Sequence, residues 1–93
     1  MLIKNEEFKN KQLGKNYVGV MLQGLKSAGT QGMTVGMMKD SHDLISKLES
    51  HRGDSEIEVT PKELKSIIEK TQAIPWLAYN EELMEMDDHL LSL

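Results

Sequence analysis

Val59-Thr60-Pro61-Lys62-Glu63-Leu64 carries the strongest local signal in the chain. Threonine followed by proline, with glutamate three residues after the threonine, makes a capping box. Thr60 is the N-cap, Pro61 stands at N1 where a missing N–H does no harm, and Glu63 reaches back to the N-cap amide. Val59 and Leu64 flank the box in the positions of a hydrophobic staple. Leu64, Ile67 and Ile68 then follow at helical spacing, so a helix starts at Pro61. That start predicts an all-α fold, and the rest of the chain is read outward from it.

Downstream, Pro75 removes a helical hydrogen bond and clashes with the preceding turn, so the helix either kinks near Gln72 or ends, with another beginning at Pro75. Beyond it Trp76, Leu77, Leu83, Met84, Leu90 and Leu91 recur with a seven-residue period, and Tyr79 and Met86 broaden the stripe. The pattern predicts a long amphipathic C-terminal helix. Its acids, Glu81, Glu82, Glu85, Asp87 and Asp88, extend into the C-terminal half, where the helix dipole disfavours them, and this asks for positive groups nearby.

Upstream, residues 50–59 are polar apart from Ile57 and Val59 and read as a loop. Before them Met37, Ser41, Leu44, Ile45 and Leu48 keep the 3.6-residue period, predicting a helix that begins at Thr34 or Asp40 and stops at Gly53. A first helix is predicted from about Asn5 to Ala28, with Val18, Met21, Leu22 and Leu25 on one stripe. Gly19 and Gly24 weaken it by about 1 kcal/mol each relative to alanine. Lys26 in the last turn, followed by Gly29, marks its end. The two helices form a hairpin over residues 5–52.

The chain has 93 residues, enough for one domain with a small core, residues 1–93. It has no cysteine and no charge-free apolar run near the membrane-spanning length. The N-terminal residues are too polar and too acidic for a secretory or transit segment, and a cytoplasmic location is expected. The net charge of −4 is unevenly placed: +4 over residues 1–39, −3 over 40–75 and −5 over 76–93. A basic head and an acidic tail can meet within one chain or between copies.

Few residues suggest chemistry. Of His42, His51 and His89, only His89 has a possible ligand one turn away, Glu85, and two ligands do not hold a metal. Ser41 and His42 are adjacent, which on a helix sets their side chains about 100° apart and makes no dyad. No nucleophile elbow occurs, so no catalytic residue, metal or cofactor is assigned and enzyme activity is not expected. Arg52-Gly53-Asp54 spells an adhesion tripeptide, but Gly53 is explained as a helix stop.

The connection around Gly29, Gly32 and Gly36 is the one candidate ligand site. Backbone amides at a helix start favour an anion, with Lys26 adding charge, Thr30 and Thr34 hydroxyls, and Tyr17 a stacking face for a base. Nucleic-acid binding is disfavoured by the acidic balance and by Arg52 being the lone arginine.

Seven methionines suit either a loosely specified core, the default reading, or a groove that adapts to a partner, while the glycine-weakened helices and the small core suggest that association supplies the missing burial. Trp76, Tyr79, Leu83, Met86 and Leu90 on the C-terminal helix are the expected interface. The favoured expectation is therefore a non-catalytic binding or regulatory protein that works through a helical surface. It would be a homo-oligomer or the partner of another protein, of the type of a phage or mobile-element accessory inhibitor. The alternatives are a protein that sequesters a phosphate-bearing, nucleotide-like ligand at residues 29–34, and an acidic DNA mimic built on residues 81–88.

Overall fold

A computed structural model describes residues 1–27 and 32–93. Among these, four α-helices and a two-stranded sheet follow in the order β1 (Leu2–Lys4), α1 (Tyr17–Lys26), α2 (Val35–Ser50), β2 (Glu56–Glu58), α3 (Pro61–Gln72) and α4 (Glu81–Leu91). The chain is mostly helical, as expected, but the sheet corrects a purely α reading. Its strands are antiparallel, with Ile3 opposite Ile57 and Lys4 opposite Glu56. Both isoleucines are buried while their neighbours face solvent. Glu56-Ile57-Glu58-Val59 alternates polar with apolar, a strand period too short to stand out from the loop around it.

The capping box forms as read. Thr60 Oγ1 accepts from the Glu63 N–H at 3.1 Å and Glu63 accepts from the Thr60 N–H at 2.9 Å. Glu63 also receives Lys47 of α2 at 2.9 Å. The hydrogen bond from the Thr60 N–H, ahead of the Lys47 contact, holds its carboxyl below the usual glutamate range. Val59 and Leu64 are both buried.

The first helix is shorter than expected and starts at Tyr17 rather than near Asn5. The stretch before it is an excursion stitched by asparagines. Asn10 caps a single 3-10 turn, Lys11–Leu13, and Gly14 follows at φ 123°, a conformation that favours glycine. The Phe8 N–H donates to Lys15 O and the Tyr17 N–H to Glu6 O, which folds the excursion back and buries Phe8. Asn16 then caps α1 through Oδ1 and donates to the Arg52 carbonyl at 2.9 Å. Asn5 accepts the Val18 N–H and donates to the Arg52 and Asp54 carbonyls. The Arg-Gly-Asp turn is thus the anchor for two asparagine amides.

The core gathers Ile3, Phe8, the apolar face of α1, Leu44 and Leu48, Ile57, Val59, Leu64, Ile67, Ile74, Met86 and Leu90. The α1–α2 hairpin exists, with Lys26 of α1 paired to Glu49 of α2. Yet α1 packs chiefly on α3, whose backbone comes close at Gly24. Pro75 separates two helices instead of kinking one: α3 ends at Gln72, and α4 begins only at Glu81, after the N-cap Asn80. Among the described residues, no helix is long and apolar enough to cross a membrane.

Candidate functional site

Residues 73–80, between α3 and α4, are fixed at both ends. Ile74 is buried and donates its N–H to Thr71 O, and Asn80 Oδ1 accepts the N–H groups of Glu82 and Leu83. Proline at 75 cannot continue the helix and favours an extended preceding residue, which lifts the intervening chain off the core. The side chains displayed there are large and apolar. Leu77 is 106% exposed, Tyr79 76% and Trp76 37%, and Met84 on the first turns of α4 is 52% exposed.

These side chains form a ridge between two grooves that share Trp76 and Leu83 as a wall. One groove, about 270 Å³, is lined by Ile74, Met84 and Met86, with Asp87 and Asp88 at its rim. The other, about 370 Å³, runs between Leu77 and Tyr79 on one side and Asn10, Gln12 and Leu13 on the other. Lys9 and Lys11, next in sequence to the lining residues Asn10 and Gln12, are exposed. The first groove is acidic on one side, where Asp87 and Asp88 line it.

The tail does lie against the head, but through polar groups rather than charge pairs. Glu82 accepts the backbone N–H groups of Lys9 and Asn10 at 2.8 and 3.0 Å, and the Lys4 N–H donates to His89 Nε2 at 3.0 Å. Asp87 receives the Gln72 side-chain amide at 3.1 Å. Among the described residues, no ion pair involves Lys9, Lys11, Glu81, Glu85, Asp87 or Asp88. Where the acids of α4 are met, at Glu82 and Asp87, the donors are neutral N–H groups rather than paired cations.

The five residues expected at an interface divide in two. Trp76 and Tyr79 are exposed, on the connection rather than on a helix, and Leu83 is half-buried in the shared wall. Met86 and Leu90 are corrected to core residues, 3% and 0% exposed, because α4 begins after the connection and turns that stripe inward. Leu77 and Met84 take their place on the surface. Both belonged to the seven-residue apolar pattern, and what the pattern lacked was the position of the N-cap at Asn80.

The residues expected at a ligand site are not brought together. Tyr17 and Lys26 stand at opposite ends of α1, about 13 Å apart along its axis. Tyr17 is buried against Phe8 and His89, Lys26 pairs with Glu49, and Thr34 is the N-cap of α2, accepting from the Met37 N–H at 3.1 Å. Thr30 and Gly29 lie outside the described residues. Among the described residues, no three His, Asp or Glu side chains converge as a metal set.

No protein-family model, curated protein or solved structure matches this chain.

Proposed function

We propose that this is a non-catalytic protein-binding domain whose binding surface is the ridge of Trp76, Leu77, Tyr79 and Met84. The observation that supports this reading is contiguous apolar exposure on a segment pinned at both ends. Isolated exposed apolar residues are ordinary, whereas a cluster containing Trp, Tyr, Leu and Met with a polar rim is the composition of an interface centre. Pinning by Ile74 and Asn80 lowers the entropy lost when a partner immobilises the segment. His89 and His51 have structural partners, His89 accepting the Lys4 N–H that joins β1 to α4 and His51 pairing with Asp54 in the turn after α2.

The test is photo-crosslinking in cells that express the protein, with a benzophenone amino acid at position 79. Discrete protein adducts that disappear when Leu77→Asp is added are the expected result. Adducts absent, or unchanged by Leu77→Asp, would dismiss the ridge as a binding surface.

A further inference from the structure

We propose that the cavity between the start of α1 and the turn after α2 binds a small phosphorylated molecule, with Lys15 and Arg52 holding its phosphate. The site is separate from the ridge and shares only Leu13 with the grooves there.

The cavity measures about 450 Å³, more than either groove beside the ridge and within the range of small-ligand sites. Lys15, Asn16, Gln23 and Arg52 line it, together with Leu13 and three glycines. No acid is among them, in a chain where acids outnumber bases 15 to 11. Two cations in one concavity concentrate positive potential, which favours a dianion such as a phosphate ester. Lys15 makes no ion pair among the described residues. Arg52 meets Glu49 through one nitrogen at 3.4 Å, but Glu49 also takes Lys26, and the rest of the guanidinium fork keeps donors for phosphate oxygens. Gln23, one turn after Gly19 on the same face of α1, adds an amide.

The two cation-bearing segments are fixed to each other before any ligand arrives. Asn16, 7% exposed, caps α1 and donates to the Arg52 carbonyl at 2.9 Å, while Asn5 donates to the Arg52 and Asp54 carbonyls at 3.1 and 2.8 Å. Little ordering of the backbone is left to binding. The first three N–H groups of α1 already have acceptors in Glu6 O, Asn5 Oδ1 and Asn16 Oδ1, so side chains, and not the helix end, are the donors. Gly19 points independently to a ligand. A glycine there weakens the helix relative to alanine, and packing does not require it, since a Cβ would meet only Asn16 Oδ1 at 3.9 Å. What Gly19 does border is the cavity, where a side chain would take up the space of the ligand.

Amide-resolved NMR titrations of the full chain at constant ionic strength test the site, with ribose 5-phosphate, inorganic phosphate and ribose as probes. Ribose 5-phosphate should give saturable shifts at the amides of Lys15, Gly19, Gln23 and Gly53. Inorganic phosphate should shift the same set at higher concentration, and ribose should shift none. Lys15→Ala and Arg52→Ala should each weaken binding by about 10-fold or more. Both side chains are exposed, and their loss leaves the bonds to the Arg52 carbonyl in place. The decisive variant is Gly19→Glu, which sets a carboxylate against the cavity in the first turn of α1, where an acid suits the helix. It should match the parent chain in urea denaturation and bind no phosphate. Lys62→Glu, which changes the net charge by twice as much at the exposed start of α3, should bind as the parent does. The proposal is overturned by the absence of saturable shifts with both phosphate probes, by Lys15→Ala and Arg52→Ala binding as the parent does, or by Lys62→Glu losing as much affinity as Gly19→Glu. Single-stranded oligothymidylate saturating the same amides at lower concentration than ribose 5-phosphate would overturn the assignment to a small molecule.

Discussion

Tyr17 shows how much one side chain can integrate. Its ring lies 5.3 Å from that of Phe8 and 6.4 Å from His89, and its hydroxyl donates to Glu6 at 3.3 Å. Burial first, and then the carboxylate of Glu6 with smaller help from Glu85 and Glu82, pushes the phenol up from 10.0 to about 12. A tyrosine whose folded pKa is raised binds its proton more tightly in the native state. Its contribution is therefore full below pH 10 and declines as pH climbs from about 10 toward about 12, where the unfolded chain has already lost the proton. The chain has two tyrosines, so Tyr79→Phe leaves Tyr17 alone to report. Tyrosinate absorbance in that variant should rise with a midpoint near 12, returning to the ordinary tyrosine value in denaturant. A normal midpoint with the helices intact would show that the ring is not enclosed as described.

At the scale of elements, the same residue type has opposite roles one turn apart. Gly19 and Gly24 both weaken an isolated helix, and sequence reasoning treats them alike. In the fold, a Cβ on Gly19 meets only Asn16 Oδ1 at 3.9 Å, an ordinary contact. A Cβ on Gly24 would lie 2.9 Å from both the carbonyl carbon and the oxygen of Lys70 and 3.0 Å from the Thr71 nitrogen, all backbone atoms of α3. Gly19→Ala should accordingly raise stability by up to about 1 kcal/mol. Gly24→Ala should lower it by about 1–3 kcal/mol despite the same gain in helix propensity, because α1 must move off α3. Urea denaturation midpoints shifting in opposite directions would verify the pair, and a gain for both would mean that α1 and α3 are further apart.

What could be read beforehand follows from how local each cause is. The box at Thr60 and Glu63 involves four consecutive residues and was legible in full, whereas for α2 the period was legible and its bounds only in part: of the two expected starts Thr34 is the N-cap, and the helix ends at Ser50, three residues before Gly53. The start of α1 was not legible, because Asn5, Asn10 and Asn16 are each plausible caps, and the Arg52 and Asp54 carbonyls to which Asn5 and Asn16 are tied lie more than thirty residues away. The β1–β2 pairing joins residues more than fifty positions apart over three residues each, with no run long enough to show a period. The surface residues Trp76 and Tyr79 were legible as large apolar groups beside a proline. Met86 and Leu90 were misplaced because a stripe reveals its period without revealing which way it faces.

For the whole molecule, the question is what keeps the acidic tail on the basic head. Three devices contribute: burial of Met86 and Leu90 beneath α4, the Glu82 carboxylate that takes the Lys9 and Asn10 N–H groups, and His89, which accepts the Lys4 N–H. Burying those two side chains is worth several kcal/mol by area, and removing either leaves a cavity. Two hydrogen bonds to a carboxylate at a partly exposed site are worth less, about 1–2 kcal/mol after competition from water. Apolar burial should therefore hold α4 while Glu82 orders the excursion before α1. Glu82→Ala is expected to lower Tm by about 4–16 °C, on the scaling for a domain of this size. It should also speed amide exchange at Lys9 and Asn10, leaving the amides of Met86 to Leu90 protected nearly to the global limit. If protection of α4 is lost together with that of Lys9 and Asn10, the order of the two effects is reversed: the carboxylate, and not the core, closes the chain on itself.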